Sequence, residues 1–242
     1  MGLSGVLFDK DGTLISFEKT WGPALGAVIA TLAGGDAEKI AAQAAALHFS
    51  VEDQRFLPSS PFIGGSTRQF GQLWAEALER DDYAALKVEI EGLSAAAALS
   101  SLTPIGAPIE IIRKLRGLGL RIGVATNDSE ASARRQMAAL GLAEEIEFLF
   151  GYDSGHGAKP DPGMVHAFAE RLGVETERIA MVGDTLHDLD AARAAGAVAV
   201  AVLSGPMGRE MLEPHADYVI EDISALPALA KRLMGGAEAP PA

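Results

Sequence analysis

The residues that could do chemistry fall in four short polar clusters, each close behind an apolar run or a sharp corner of the chain. Asp9 and Asp11 lie in FDKDGTLI, Phe8 to Ile15, after the run GVLF. Thr126 and Asn127 close RIGVATN, with Asp128 and Ser129 behind them. Lys159 lies in GAKPDP, and Asp184 and Asp188 lie in GDTLHD after IAMV. Asp9 and Asp11 stand two residues apart, so on an extended chain both carboxylates face one way. Two acids that close cannot both ionise freely; one pKa rises, which separates a nucleophile from a proton carrier. Gly12 then lets the chain turn. A bare DxDG is also a surface turn or an Asp helix cap, but with Thr13 included the four residues match by chance on the order of once in 10⁵ positions.

The remaining clusters offer the positive charge and anion contacts that two acids lack. A hydroxyl and backbone N–H groups at a helix start make an anion site, so Thr126 and Asn127 are candidate phosphate ligands. Helix capping uses the same residue types. Pro160 holds Lys159 extended, and with Asp161 as the expected N-cap and Pro162 at the first helical position the lysine is presented from a stiff corner. A solvated surface lysine is the alternative. If a helix begins at Asp184, the four-residue spacing puts Asp184 and Asp188 on one face. Magnesium (Mg2+) takes one or two such carboxylates together with substrate phosphate oxygens. His187 turns away from that face, and Asp190 reads as a solvated helix residue.

Bringing these clusters together requires a particular scaffold. Short Val-, Ile- and Ala-rich runs alternate with helical stretches: RIGVAT then SEASARRQMAALGL, RIAMVGD then LHDLDAARAAG, AVAVAVL then MGREMLEPH, DYVI then ISALPALAKRLM. Such alternation predicts an α/β fold, a parallel sheet with helices on both faces and ligands beyond the carboxyl ends of its strands. Strand one is expected at Gly5 to Asp9, and a crossover helix at Pro104 to Leu118. Most of the residues between strand one and Arg121 read as Ala-rich helix, punctuated by Gly34-Gly35 and Pro58 to Gly65. The expected organisation is therefore a core of residues 1–14 and 103–242 and an inserted all-helical domain over 15–102. The final GGAEAPPA is expected to be a frayed tail.

Composition narrows the function classes. The chain has 242 residues, 48% hydrophobic and 22% charged, with a formal net charge of −13 and no cysteine. Without a basic stripe it is not expected to bind nucleic acid. Its longest apolar stretch, near Ala24 to Ala33, is about half of what a membrane span needs. Neither a basic n-region nor an apolar h-region follows Met1, so no signal peptide is expected. The absence of cysteine removes thiolate chemistry and disulfides and fits a cytoplasmic protein. So negative a surface repels small anions, and a phosphate site must carry its own positive charge.

In order and spacing, DKDGT, VATN, AKPDP and GDTLHD resemble the four signature motifs of the haloacid dehalogenase (HAD) superfamily, and the chain is most similar to its phosphoglycolate-phosphatase-like members. The resemblance implies a Rossmann-like parallel sheet with a helical insertion of the type C1 cap kind. It implies that Asp9 attacks phosphorus to form an aspartyl-phosphate, and that Asp11 protonates the leaving alcohol and then activates water. Thr126 and the Asn127 amide would hold the phosphoryl oxygens, and Lys159 would neutralise the transferring group. Mg2+ would be bound by Asp9, the backbone carbonyl of Asp11 and Asp184, with Asp188 ligating or orienting water. Dehalogenases of the superfamily lack an acid at the position of Asp11. Lys10, turned away by strand alternation, reads as structural.

Substrate choice is expected in the cap, where the loop from Arg55 to Arg68 carries two arginines, aromatics and a Gly-Gly hinge. Arg55 and Arg68 are candidates to bind a carboxylate or phosphate on the leaving group as the loop closes. An ordinary interhelical loop is the alternative. The expected activity is Mg2+-dependent hydrolysis of a small phosphorylated metabolite, phosphoglycolate first, by a monomer or homodimer. A phosphomutase acting on a sugar phosphate is the runner-up, and a silent regulatory protein a third reading.

Overall fold

The four apolar residues Gly5–Phe8 form strand β1, and all four are buried, so both faces of the strand are covered. The computed structural model describes residues 2–65 and 67–235, without the side chains of residues 67–69. After β1 come α1 (Phe17–Ala33), α2 (Ala37–Ala46), β2 (Phe49–Ser50), β3 (Arg55–Phe56), α3 (Thr67–Ala77) and α4 (Tyr83–Ser100). The chain continues through α5 (Pro108–Gly117), β4 (Arg121–Ala125), α6 (Glu130–Ala139), β5 (Phe148–Phe150) and α7 (Gly163–Leu172). It ends with β6 (Ile179–Gly183), α8 (Leu186–Ala195), β7 (Val198–Val202), α9 (Arg209–Leu212), β8 (Tyr218–Ile220) and α10 (Leu226–Met234). Among the described residues, no helix is long and apolar enough to cross a membrane.

By contacts the chain divides into two compact units, one of residues 1–15 and 104–242, the other of residues 16–103. The first contains a six-stranded sheet in the order β5-β4-β1-β6-β7-β8, every pairing parallel. This is the α/β arrangement expected from the alternation, and of the Rossmann-like kind that the resemblance implies. The apolar run at β5, three residues long, is an additional edge strand. The α7 and α8 helices share one core with Leu7, Met181 and Ala199. The α5 crossover helix is shorter than the expected span, because Gly106, at φ 60, keeps the backbone preceding it non-helical.

The second unit holds α1 to α4, with Ser16 capping α1 and Asp36 capping α2. It is not purely helical: Phe49–Ser50 pairs antiparallel with Arg55–Phe56. Two residues per strand are too few to show a period. Its core is aromatic, built around Phe17, Trp21, Phe56, Phe62, Phe70 and Trp74. The buried Trp74 indole donates to Gln43 Oε1 at 2.7 Å, and Gln43 Nε2 donates to the Ile29 carbonyl at 3.3 Å, so neither polar group is left unpaired.

The order of strands positions the chemistry. Because β1 lies between β4 and β6, connections run outward from it in both directions, the switch point at which open α/β sheets bind ligands. In register, Phe8 faces Val124 on one side and Val182 on the other, which aligns the three carboxyl ends in one row. Phe168 seats α7 on this part of the sheet; its ring lies where a Cβ on Gly123 or Gly5 would approach to 2.7 or 2.9 Å. Phe168→Ala is expected to cost about 3–5 kcal/mol in a denaturant melt, the range for emptying a buried aromatic site. A cost under about 1 kcal/mol would contradict this seating.

Candidate active site

Immediately past β1, the Asp9 backbone N–H donates to the Val182 carbonyl at 2.8 Å, so the residue is fixed to the neighbouring strand before its side chain is placed. The chain then turns. Gly12 N–H donates to Ile15 O at 2.7 Å, and the N–H groups of Leu14 and Ile15 donate to Lys10 O at 2.9 and 3.0 Å. Gly12 adopts φ 87, and a Cβ there would lie 2.2 Å from Asp184 Oδ2. The turn therefore needs glycine twice over, for its backbone angle and for the carboxylate beside it.

Lys159 reaches into the row of strand ends and is buried. Its Nζ donates to Asp9 Oδ1 at 2.5 Å, to Asp188 Oδ1 at 2.6 Å and to the Ala125 carbonyl at 2.8 Å. Three acceptors match the three N–H bonds of an ammonium. The backbone of Lys159 is clamped as well: its N–H donates to Asn127 Oδ1 and its carbonyl accepts from Asn127 Nδ2, both at 2.9 Å. The Asn127 side chain thus holds the lysine. Thr126 is buried beside it, and its Oγ1 accepts from the Asp128 N–H at 3.1 Å. Helix α7 begins at Gly163, one residue after the expected start, with Asp161 in a turn whose N–H bonds to Ala158 O at 2.9 Å.

Asp184 and Asp188 converge, but by a different route from the expected helix face. Asp184 precedes α8, and Thr185 is the cap residue. Asp188 Oδ2 accepts from the Thr185 N–H at 3.1 Å and its hydroxyl at 2.7 Å, while Oδ1 is held by Lys159. Asp184 Oδ1 accepts from Thr13 Oγ1 at 3.2 Å. Asp184 Oδ2 is buried and has no hydrogen-bond partner. A Cβ on Gly205, in the loop after β7, would lie 1.8 Å from that same oxygen. Two glycines, Gly12 and Gly205, therefore flank one carboxylate.

Oxygens of Asp9, Asp184 and Asp188 all lie within 4.8 Å of one another, and all three residues are buried. Three carboxylates against one ammonium leave two negative charges over when all are ionised. Burial pushes the Asp9 carboxyl up to about 7, with Lys159 pulling the other way and Asp188 and Asp11 adding to the rise. Burial, followed by the charges of Asp9 and Asp188, pushes Asp184 well above the ordinary carboxylate range. Burial opposes the Lys159 ammonium, but Asp188 and Asp9 outweigh it and hold its pKa above the usual lysine value. A divalent cation would supply the missing charge, and an unpartnered buried carboxylate oxygen is an available ligand. The acid cluster thus fits a metal site.

Because β1 ends at Phe8, Lys10 and Asp11 lie in the turn after the strand, so alternation does not set their directions. Lys10 is fully buried, with Nζ 2.7 Å from Asp11 Oδ2, 3.2 Å from Asp128 Oδ2 and 2.6 Å from Gln136 Oε1. Burial disfavours its charge, yet Asp11 and Asp128 raise its pKa above the usual value. Sequence reasoning missed Gln136, Gly205 and the role of Thr185: the first two act through neighbours outside their own segments, and Thr185 caps a helix that was expected to begin at Asp184. Asp190 pairs with His215 at 2.8 Å, away from the cluster's contacts. Arg55 belongs to the inserted unit, where its charge acts on Glu18. The side chain of Arg68 lies outside the described residues.

With this geometry in hand, comparisons place the chain. Residues 3–196 match the family model for haloacid dehalogenase-like hydrolases. A probable phosphatase, IndB, from Dickeya dadantii is 30% identical over 220 residues, 90% of this chain and 88% of that protein. A phosphoglycolate phosphatase from Rhodospirillum rubrum is 38% identical over 119 residues, and the match spans about half of each protein, 49% in both cases. Among solved structures, a candidate β-phosphoglucomutase from Thermotoga maritima superposes with a TM-score of 0.69 at 20% identity, covering 96% of this chain and all of that one, a likeness of fold. On the family match and the near full-length relative, the chain belongs to the haloacid dehalogenase-like hydrolases.

Proposed function

We propose that this protein is a Mg2+-dependent phosphatase of a small phosphorylated metabolite, phosphoglycolate being the first candidate, and that it works through a phosphoryl group carried on Asp9. The observation that carries this reading is the buried group of Asp9, Asp184 and Asp188 around Lys159, two charges short of balance. Phosphoryl transfer asks a protein mainly for alignment and charge neutralisation, and this site is built of little else. The R. rubrum phosphoglycolate phosphatase supports the substrate class.

In the proposed sequence, a carboxylate oxygen of Asp9 attacks phosphorus as the ester P–O bond breaks. The electron pair leaves on the ester oxygen, which takes a proton from Asp11. Asp11, now ionised, takes a proton from water as that water attacks the phosphoryl group, and inorganic phosphate departs with Asp9 regenerated. Lys159 pins Asp9 Oδ1 in one rotamer and offers its charge to the transferring oxygens. The Thr126 hydroxyl and the Asn127 amide are placed at the strand end to hold those oxygens. Asp9, the backbone carbonyl of Asp11 and Asp184 would hold the Mg2+ ion, with Asp184 Oδ2 the readiest ligand, and Asp188 would steady Lys159 and the ion's water. Mg2+ supplies Lewis-acid neutralisation of phosphoryl charge. Residues 16–103 are proposed as the cap, with Arg55 and Arg68 as candidate contacts to the leaving group.

On a panel of phosphorylated acids and sugars, the wild-type protein is expected to release inorganic phosphate. Asp9→Asn is expected to lower that rate by at least about 10³-fold while leaving the melting temperature within a few degrees. Retention of activity within about tenfold would remove Asp9 as nucleophile, and isomerisation of a sugar phosphate without release would mark a mutase. Metal binding has its own readout. With the metal absent, Asp9 and Asp184 have raised pKa values, so the stability they contribute is present below about pH 4 and is lost as pH rises through the folded value, about 7 for Asp9. Mg2+ at a hundredfold excess over its dissociation constant is expected to raise the melting temperature by about 5–10 °C at pH 8 and by less at pH 5. No shift at pH 8, or a larger one at pH 5, would count against the site.

A further inference from the structure

Among the described residues, Lys10 is the one fully buried cation that the proposed chemistry leaves without a task. Burying an ammonium costs several kcal/mol unless oxygens replace its water. Here Asp11 Oδ2, Asp128 Oδ2 and Gln136 Oε1 surround it at 2.7, 3.2 and 2.6 Å. Those oxygens come from two places. Asp11 lies in the turn after β1, whereas Asp128 and Gln136 belong to the β4–α6 connection and to α6. The second pair is itself fixed: Asp128 Oδ1 accepts from the Ser129 N–H at 2.7 Å, and Gln136 Nε2 donates to Ser132 Oγ at 3.3 Å. Asp128 also bonds by its N–H to Thr126 Oγ1 at 3.1 Å. Lys10 therefore ties the side chain of Asp11 to the same connection that carries Thr126 and Asn127. The Asp11 side chain keeps 19% of its surface exposed while Lys10 lies 2.7 Å from its Oδ2.

We propose that Lys10 is a positioning residue for phosphoryl transfer, its ammonium fixing the Asp11 carboxyl against Asp128 and Gln136 so that the acid is presented in one rotamer to the leaving-group oxygen. The inference rests on Asp11 being the proton carrier. A tether of this kind matters only when the leaving group needs a proton. An alkyl ester leaves as an alkoxide and needs one; a nitrophenyl ester leaves as a stable phenolate and does not.

The test compares kcat/KM, which reports the first phosphoryl transfer, for an alkyl phosphate found active in the panel and for p-nitrophenyl phosphate. Asp11→Asn sets the reference, with loss concentrated on the alkyl ester. Lys10→Met is expected to lose at least about tenfold more on the alkyl than on the aryl ester, mostly in kcat, with KM little changed. Because Lys10→Met leaves two carboxylates beside an empty slot, the double variant K10M/D128N is measured in parallel, and thermal melts show which variants are folded. The double variant is expected to keep the same alkyl-over-aryl pattern. Equal loss on both esters, or no loss, in a folded variant overturns the tether while Asp11→Asn still shows its pattern. If Asp11→Asn itself loses both esters equally, the proton-carrier reading fails and the tether falls with it.

Discussion

Three buried carboxylates around one buried ammonium set the terms for the rest of the catalytic unit. Placed in a low-dielectric interior, Asp9, Asp184 and Asp188 repel one another strongly, and Lys159 offsets part of that cost. An unpaired buried charge is expensive, and the excess here has to be offset by bound protons or by a cation. The raised pKa values of Asp9 and Asp184 express the same deficit as proton uptake. A divalent cation would bring compensating charge. In a chain with a net charge of −13, Lys159 alone does not balance the three acids around it, so a site for an anion there would need that cation as well.

The fold supports this cluster by fixing backbone before side chains. Asp9 is bonded to β6, Lys159 is clamped at both backbone groups by Asn127, and Asp188 is tied to Thr185 at the start of α8. Asp9 and Lys159 are thus each held by a neighbour from another strand end, and Asp188 by the cap of its own helix. Close packing then becomes the limit. Gly12 and Gly205 lie where a single methyl would displace Asp184, so the loops after β1 and β7 are constrained by one carboxylate. Ser204 adds a bond from its hydroxyl to the Gly12 carbonyl at 2.8 Å, joining those two loops directly.

Much of the sheet was legible in the sequence because its central strands are continuous apolar runs, buried on both faces, that end on polar residues. The strand β5 was not, since three apolar residues next to acidic ones carry no period. Side-chain directions were read less well than positions. Alternation assumes the strand continues, and β1 stops at Phe8, so the side-chain directions of Lys10 and Asp11 are set by the turn that follows rather than by the strand. The helix-face argument for Asp184 and Asp188 had the right outcome by the wrong path, because Thr185 starts the helix and Asp184 lies before it. Gln136 and Gly205 have no local signature; Gln136 matters through Lys10, 126 positions away, and Gly205 through Asp184 in a different loop.

The central claim is that this cluster acts on phosphorus with Asp9 as the attacking group, and capture of the phosphorylated protein tests it most directly. Asp11→Asn, which keeps the nucleophile but lacks the base for the second step, is mixed with p-nitrophenyl phosphate and Mg2+, quenched in acid and digested. Peptide mass spectrometry is expected to find one phosphoryl group, on Asp9. A phosphoryl group on any other residue, or a burst of nitrophenol with none retained on the protein, would contradict the account.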